Sequence, residues 1–417
     1  MMNLKIDNRV NTHTCLSLLV IGGLSLSGCA STSNFAVSAV HAQQVRFPIA
    51  ALQNLEILAF DVYQAETQRM DAVVAAAATS NKKLQSIYYL YSEDGGQQWS
   101  VPQVISTGLP LSISSRGNDV QIASFAEQRV VLWQSAGDLP GMGPIVSAYS
   151  VDAGKTWQAG ANPARNDAGD QARIDLAADQ QGKFHAVWLE DPEEHGYQSL
   201  RYARSFDAGA HWEAAQTLDD STCSCCWNTL TPGAQGELKV LYRNMQPRDM
   251  SLIQSTDHGV TWQTAGVVGD FQWQFDGCPH IGGGLAAITV NAKTWLHSIV
   301  WTGVEHKQGL YYLGSEDDGR HWSTPHLFSA QGLHGDIVAQ TPEDVRAIWD
   351  ERNAEGALIK FANSHDGGKH WSSALSLSTP GAVATHPRLL QSSTGTLAFW
   401  TEKSAKEPSR WAMAWIP

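Results

Sequence analysis

One eight-residue pattern, Ser-x-Asp-x-Gly-x-x-Trp, is written six times in this chain. The copies begin at Ser92, Ser150, Ser205, Ser255, Ser315 and Ser364 and close on Trp99, Trp157, Trp212, Trp262, Trp322 and Trp371. They recur about every 54 residues, and self-similarity at a fixed period calls for an array of like units, each burying its face against the next. The acidic position is Asp94, Asp152, Asp207, Asp257, Asp317 or Asp366, and such a carboxylate accepts backbone amides just ahead of it in an Asx-type turn. Glycine supplies a backbone angle other residues resist, and tryptophan a large face to bury. Aromatic or β-branched runs such as Ile87-Tyr88-Tyr89-Leu90 and Leu310-Tyr311-Tyr312 precede the pattern. It therefore reads as the turn of a β-hairpin, and as scaffold.

These boxes resemble the Asp-box, or bacterial neuraminidase repeat, and the chain resembles the sialidase-like β-propellers. The resemblance implies an all-β chain of four-stranded antiparallel blades. It speaks to architecture and not to activity, since one fold hosts many functions. The second strands carry their own signature, including Val131-Leu132-Trp133, Ala186-Val187-Trp188, Ala347-Ile348-Trp349 and Ala398-Phe399-Trp400. After the sixth box three more strands are expected, near 388–390, 397–400 and 411–415, and an N-terminal strand near 45–49 would close the ring. The count predicts seven blades. Sialidases have six, which is the alternative.

The N-terminus reads differently. Lys5 and Arg9 precede a short apolar run ending in Leu26-Ser27-Gly28-Cys29. That is a secretory signal rather than a membrane span. Leu-Ser-Gly-Cys resembles the lipobox of bacterial lipoproteins, which implies cleavage before Cys29, acylation of its thiol and, with Ala30 and Ser31 following, an outer-membrane destination. The expected domains are a signal peptide over 1–28, a flexible tether over 29–44 and the propeller over 45–417. The formal net charge of −13 becomes −14 once Lys5, Arg9 and Asp7 are removed, which argues against nucleic acid as a partner. The expected partners are the membrane, through the lipid, and a small ligand, metal or glycan in the channel.

Chemistry is expected on the face away from the boxes. There the loops entering the first strands carry Arg116, Asp119, Arg173, Cys223-Ser-Cys225-Cys226, Cys278-Pro-His280, His334-Gly-Asp336 and His386-Pro-Arg388. Loops from second to third strands add Glu190, Arg243, Arg248, Asp350, Glu351 and Glu402. Cys278 follows Cys226 by nearly one blade repeat, so adjacent blades would present them side by side. Three readings stay open for these thiols: two structural disulfides, a soft-metal site for copper or zinc shared with His280, His334 and His386, or a redox-active disulfide. The chain also resembles bacterial members of the family that carry Cys-x-Cys-Cys and later Cys-Pro segments.

A sialidase would need three arginines for the substrate carboxylate, a Tyr nucleophile and an acid. The resemblance offers Arg46 (in Arg-Phe-Pro), Arg243 and Arg388 as arginines and Asp119 or Asp61 as acid. No tyrosine occupies an obvious channel loop; Tyr242 ends a strand and Tyr197 lies in an acidic loop. The sequence thus favours a metal or redox site over glycan cleavage. An exo-glycosidase and a surface interaction scaffold, its channel inert and its blade-edge loops binding a protein or glycan, are the alternatives.

Overall fold

The computed structural model describes residues 45–417 apart from 65–67, 106–107, 139–140, 168, 192–197, 355, 393–394, 406 and 417. The expected signal segment and tether, with Cys29, and Tyr197 lie outside the described residues. Among those described, the strands form seven antiparallel sheets, six of four strands and one of three, each built from consecutive strands. They are numbered here as blades 1 to 7, over residues 55–104, 121–159, 172–222, 229–268, 284–329, 332–376 and 383–416. The three-stranded sheet is blade 7. On the free edge of its strand Arg410–Ile416, Arg46 N donates to Met413 O at 2.8 Å and Met413 N to Arg46 O at 2.9 Å. The N-terminal segment thus closes the ring. Seven blades replace the six of the alternative reading, and blade 7 lacks a box because the chain is cut between its third and fourth strands. Among the described residues no helix is long and apolar enough to cross a membrane.

All six boxes use the same three bonds. In the first, Ser92 Oγ donates to Asp94 Oδ1 at 2.8 Å, Gly96 N donates to Ser92 Oγ at 2.8 Å and Gln98 N donates to Asp94 Oδ1 at 2.9 Å. The other five repeat this geometry. Hydrogen bonds from the residue four places on hold Asp257, Asp317 and Asp366 down to about 2.

Each box then fastens its blade to the one before. Trp157 packs edge-on against Tyr89 of blade 1, Trp262 against Tyr202 of blade 3 and Trp371 against Tyr312 of blade 5. Trp99 closes the circle on Phe399 and Trp411 of blade 7. Such ring pairs add about 0.5–1.5 kcal/mol beyond the area they bury. The box glycine must be glycine: at Gly259 and Gly368 φ is +78° and +83°, and an added Cβ would run into the Tyr202 and Tyr312 hydroxyls.

The second-strand tryptophans fill the interior. Trp188, Trp349 and Trp400 are fully buried. Their indole N–H groups donate to Glu190, Glu351 and Glu402 at 3.1, 3.4 and 2.9 Å. Residues two apart share a strand face, so a Trp-x-Glu sequence supplies its own partner. These glutamates, expected in site-face loops, are structural acceptors.

Candidate functional site

The boxes hydrogen-bond to the hairpins joining first and second strands, as His258 N does to Gly236 O at 2.9 Å and Ala153 N to Glu127 O at 2.8 Å. Boxes and these hairpins therefore share one face. The loops that enter the first strands lie on the other.

Those entries are distorted in a common way. Ladder register shifts opposite Val187/Leu189, at Leu333/Asp336 and at Thr385/Arg388 mark bulges at the starts of blades 3, 6 and 7. Arg173, His280, His334 and His386 all adopt left-handed backbone, with φ of +56°, +57°, +28° and +52°. Non-glycine residues held there cost about 1–2 kcal/mol each, and bulges gather where side chains must be re-aimed. Two residues beyond three of these positions, Asp175, Asp336 and Arg388 fill the axis.

The axis is a polar plug. Asp61, Asp175 and Asp336 each accept an amide of the next blade, from Ile122 at 3.0 Å, Leu230 at 2.6 Å and Leu389 at 2.8 Å. Gln121, its amide nitrogen turned inward, lies 3.2 Å from Asp61 Oδ2 and 3.1 Å from Asp175 Oδ1. Arg388 is the counter-charge, with Nη2 3.9 Å from Asp61 Oδ1. Burial pushes Asp61 up to about 7 and Asp175 up to about 6, against the pull of Arg388.

Above the plug sits a cavity of about 30 Å³ lined by Arg116, Trp227, His334, His386 and Arg388, among others. The enclosed part admits one or two waters. His334 Nδ1 lies 2.7 Å from Asp350 Oδ2, which also accepts the His386 amide at 2.8 Å. The two imidazoles stack with centroids 3.7 Å apart, and Trp227 packs against both. Burial, then the charges of His334 and Arg116, hold His386 well below its ordinary value. Its Nδ1 is buried without a partner.

The thiols form a second group. Cys223, Cys225 and Cys226 are buried, Cys278 is exposed, and all four are free. The Cys223 sulfur lies 3.6 Å from that of Cys225 and 3.3 Å from that of Cys226; the Cys225 and Cys226 sulfurs are 3.9 Å apart. From the next entry loop, Cys278 and His280 bring ligand atoms within 4.8 Å of Cys225 Sγ and of each other. The His280 amide donates to Cys225 Sγ at 3.4 Å, and Arg248 Nη1 donates to Cys223 Sγ at 2.9 Å. The neighbouring thiols of Cys225 and Cys226, helped by Arg248, hold Cys223 below the ordinary thiol range, while the bond to Cys223 pushes Cys225 up and burial pushes Cys226 up. A thiolate flanked by thiols and a guanidinium is a soft, anionic donor set.

The seven cysteines and histidines expected to act together thus fall into two sets. Cys223, Cys225, Cys226, Cys278 and His280 form one; His334 and His386, joined by Asp350, form the other. Trp227, next in sequence to Cys226, lines the cavity against both histidines. The arginines offered for a substrate carboxylate do not converge. Arg46 lies on the outermost strand of blade 7, three strand spacings or about 14 Å from the inner strand that carries Arg388. Arg243 is buried, donating to the carbonyls of Ile281, Arg248 and Trp301 at 3.0, 2.5 and 2.9 Å. Asp119 pairs with Arg116 and accepts the amides of Phe60 and Gly117. Sequence reasoning missed Trp227 and the role of Arg248. The first follows Cys-Cys directly, whereas Arg248 lies 25 residues from its sulfur and leaves no local signal.

Seven blades, six Asp-boxes and a loop face carrying the reactive groups define a sialidase-like β-propeller. The chain belongs to the BNR repeat-like domain family, which matches residues 86–331. Among solved structures it is similar to a protein of unknown function from Dyadobacter fermentans, at 12% identity over 91% of this chain and 100% of that one, with a TM-score of 0.52. It is also similar to an ulvan lyase described as a new family of polysaccharide lyase, at 13% identity over 88% of this chain and 93% of that one, with a TM-score of 0.55. A sialidase of Trypanosoma rangeli aligns with 87% of this chain and 55% of its own at 11% identity, with a TM-score of 0.48. The first two are likenesses of fold. No curated protein matches the sequence.

Proposed function

We propose that this propeller binds a soft metal ion, copper or zinc, through the cysteines of its loop face. One observation carries the reading: three buried sulfurs lie 3.3–3.9 Å from one another, with Cys278 and His280 of the next loop beside them. Sulfurs bound at about 2.3 Å to a tetrahedral ion stand about 3.8 Å apart. The sites are thus near-formed before the ion arrives. Acylation of Cys29, in a lipobox-like Leu-Ser-Gly-Cys, would hold the propeller at a bacterial outer membrane, and the site would serve metal there.

The same sulfurs permit thiol redox, with Cys223 and Cys226 the nearest pair. Metal analysis and thiol counting on anaerobically purified full chain separate the two. The metal reading expects stoichiometric soft metal, lost in Cys225→Ser. Four cysteines recovered as stable disulfides, with no metal, would overturn it.

A second reading is glycan binding or cleavage at the axial cavity. The His334–Asp350 pair beside Arg388 favours it, because a carboxylate-oriented imidazole is a competent general base. Turnover of aryl glycosides, sialosides included, that disappears in His334→Ala would establish it. No turnover across the panel argues against it.

A further inference from the structure

Cys225 belongs to two ligand sets at once. Its sulfur lies within 4.8 Å of those of Cys223 and Cys226, and equally within 4.8 Å of the ligand atoms of Cys278 and His280. Two ligands of one ion, each at about 2.3 Å, stand at most about 4.6 Å apart. Among the described residues the five donors form no single set of that size; they form two sets of three that meet at Cys225.

We infer that the loop face holds two copper(I) ions bridged by the Cys225 thiolate, one on Cys223, Cys225 and Cys226, the other on Cys225, Cys278 and His280. This rests on the metal reading above. A thiolate sulfur has lone pairs for two metals, and its place between the sets is what a bridge requires. Coordination number selects the ion: each set supplies three donors, which satisfies copper(I), whereas structural zinc is four-coordinate. Charge agrees. Four thiolates carry −4, two copper(I) ions +2, and the flanking Arg248 and Arg243 +2, which balances. Arg248 is bonded to Cys223, the Arg243 guanidinium donates to the Arg248 carbonyl at 2.5 Å, and the Cys223 amide donates to the Arg243 carbonyl at 2.9 Å. Two zinc(II) ions would neutralise the four thiolates and leave the +2 of the two buried guanidinium groups without a counter-charge.

Burial gives the pair a direction. Cys223, Cys225 and Cys226 are 1%, 5% and 1% exposed, whereas Cys278 and His280 face solvent. The outer position exchanges with solvent and the inner one retains its ion, with Cys225 the ligand through which an ion passes between them. No redox change is needed, because copper stays in the +1 state throughout.

The test is anaerobic titration of the reduced full chain with copper(I) against a chromophoric chelator, with folding followed by circular dichroism. Two equivalents are expected. Cys278→Ser and His280→Ala should each retain one, and Cys225→Ser should lose tight binding of both. His334→Ala should still take two. One equivalent in the parent chain, unchanged in Cys278→Ser, would overturn the shared thiolate and leave a single-ion site standing. A fall to one in His334→Ala would move the second ion elsewhere and overturn it too. No binding would remove the metal reading itself. Because Cys278 is exposed, its variant keeps the test open even if Cys225→Ser fails to fold.

Discussion

The backbone amide of His280 donates to the sulfur of Cys225 at 3.4 Å, tying the loop that enters blade 5 to the loop that enters blade 4. The donor cluster exists because of this radial adjacency, which brings together residues 55 apart in sequence. The sheets beneath are rigid, so the loops hold reactive groups in fixed relation.

Arg248 should govern affinity without being a ligand. It donates to Cys223 Sγ, and its Nε donates to Phe275 O at 2.7 Å, which fixes the guanidinium beside the thiolate. Supporting groups of this kind typically matter 10–100-fold for metal affinity. Arg248→Met should weaken soft-metal binding by about that factor in chelator competition, with the stoichiometry unchanged.

The boxes make a stability prediction. Gly259→Ala combines left-handed strain with overlap on Tyr202 and should destabilise the chain by about 2–4 kcal/mol. Gly381 has a similar φ of +77° with open space around its Cβ, so Gly381→Ala should cost only about 1 kcal/mol. Denaturant unfolding of the two variants measures the difference.

Arg243 is a structural cation. Arg243→Met strands three backbone carbonyls in the interior and should cost about 3 kcal/mol in the same experiment. A variant as stable as the parent would return Arg243 to the candidates for ligand binding.

The axial plug should make stability pH-dependent. Burial raises the folded-state value of Asp61 to about 7, whereas the unfolded chain titrates near 4. Between those values the folded state holds the proton more tightly. The parent chain therefore loses stability from this group as pH rises from about 4 to about 7, by at most about 1.4 kcal/mol per pH unit. Asp61→Asn does not titrate. Its stability relative to the parent should climb across that window and level off above it, which melting curves from pH 4 to pH 8 will read.

The architecture was legible because it is repetitive. Six boxes fixed the period, the three strands expected beyond the sixth blade showed the chain cut within a blade, and the Arg46–Met413 bridge is the closure that cut requires. The candidate site was legible only in part. Cys-x-Cys-Cys and Cys-Pro-His lie one repeat apart, so their meeting followed from spacing. The separation of His334 and His386 did not, because it depends on Trp227 and on Asp350 binding both residues. Glu190 and Glu402 read as loop acids since nothing local reveals that a buried indole needs each of them.

X-ray absorption at the metal edge, on the anaerobically copper(I)-loaded full chain, tests the central claim most directly. The account predicts a first shell dominated by sulfur at about 2.3 Å, with a copper–copper path that disappears in Cys278→Ser. A first shell of nitrogen and oxygen alone would place the metal away from Cys223, Cys225 and Cys226 and contradict it.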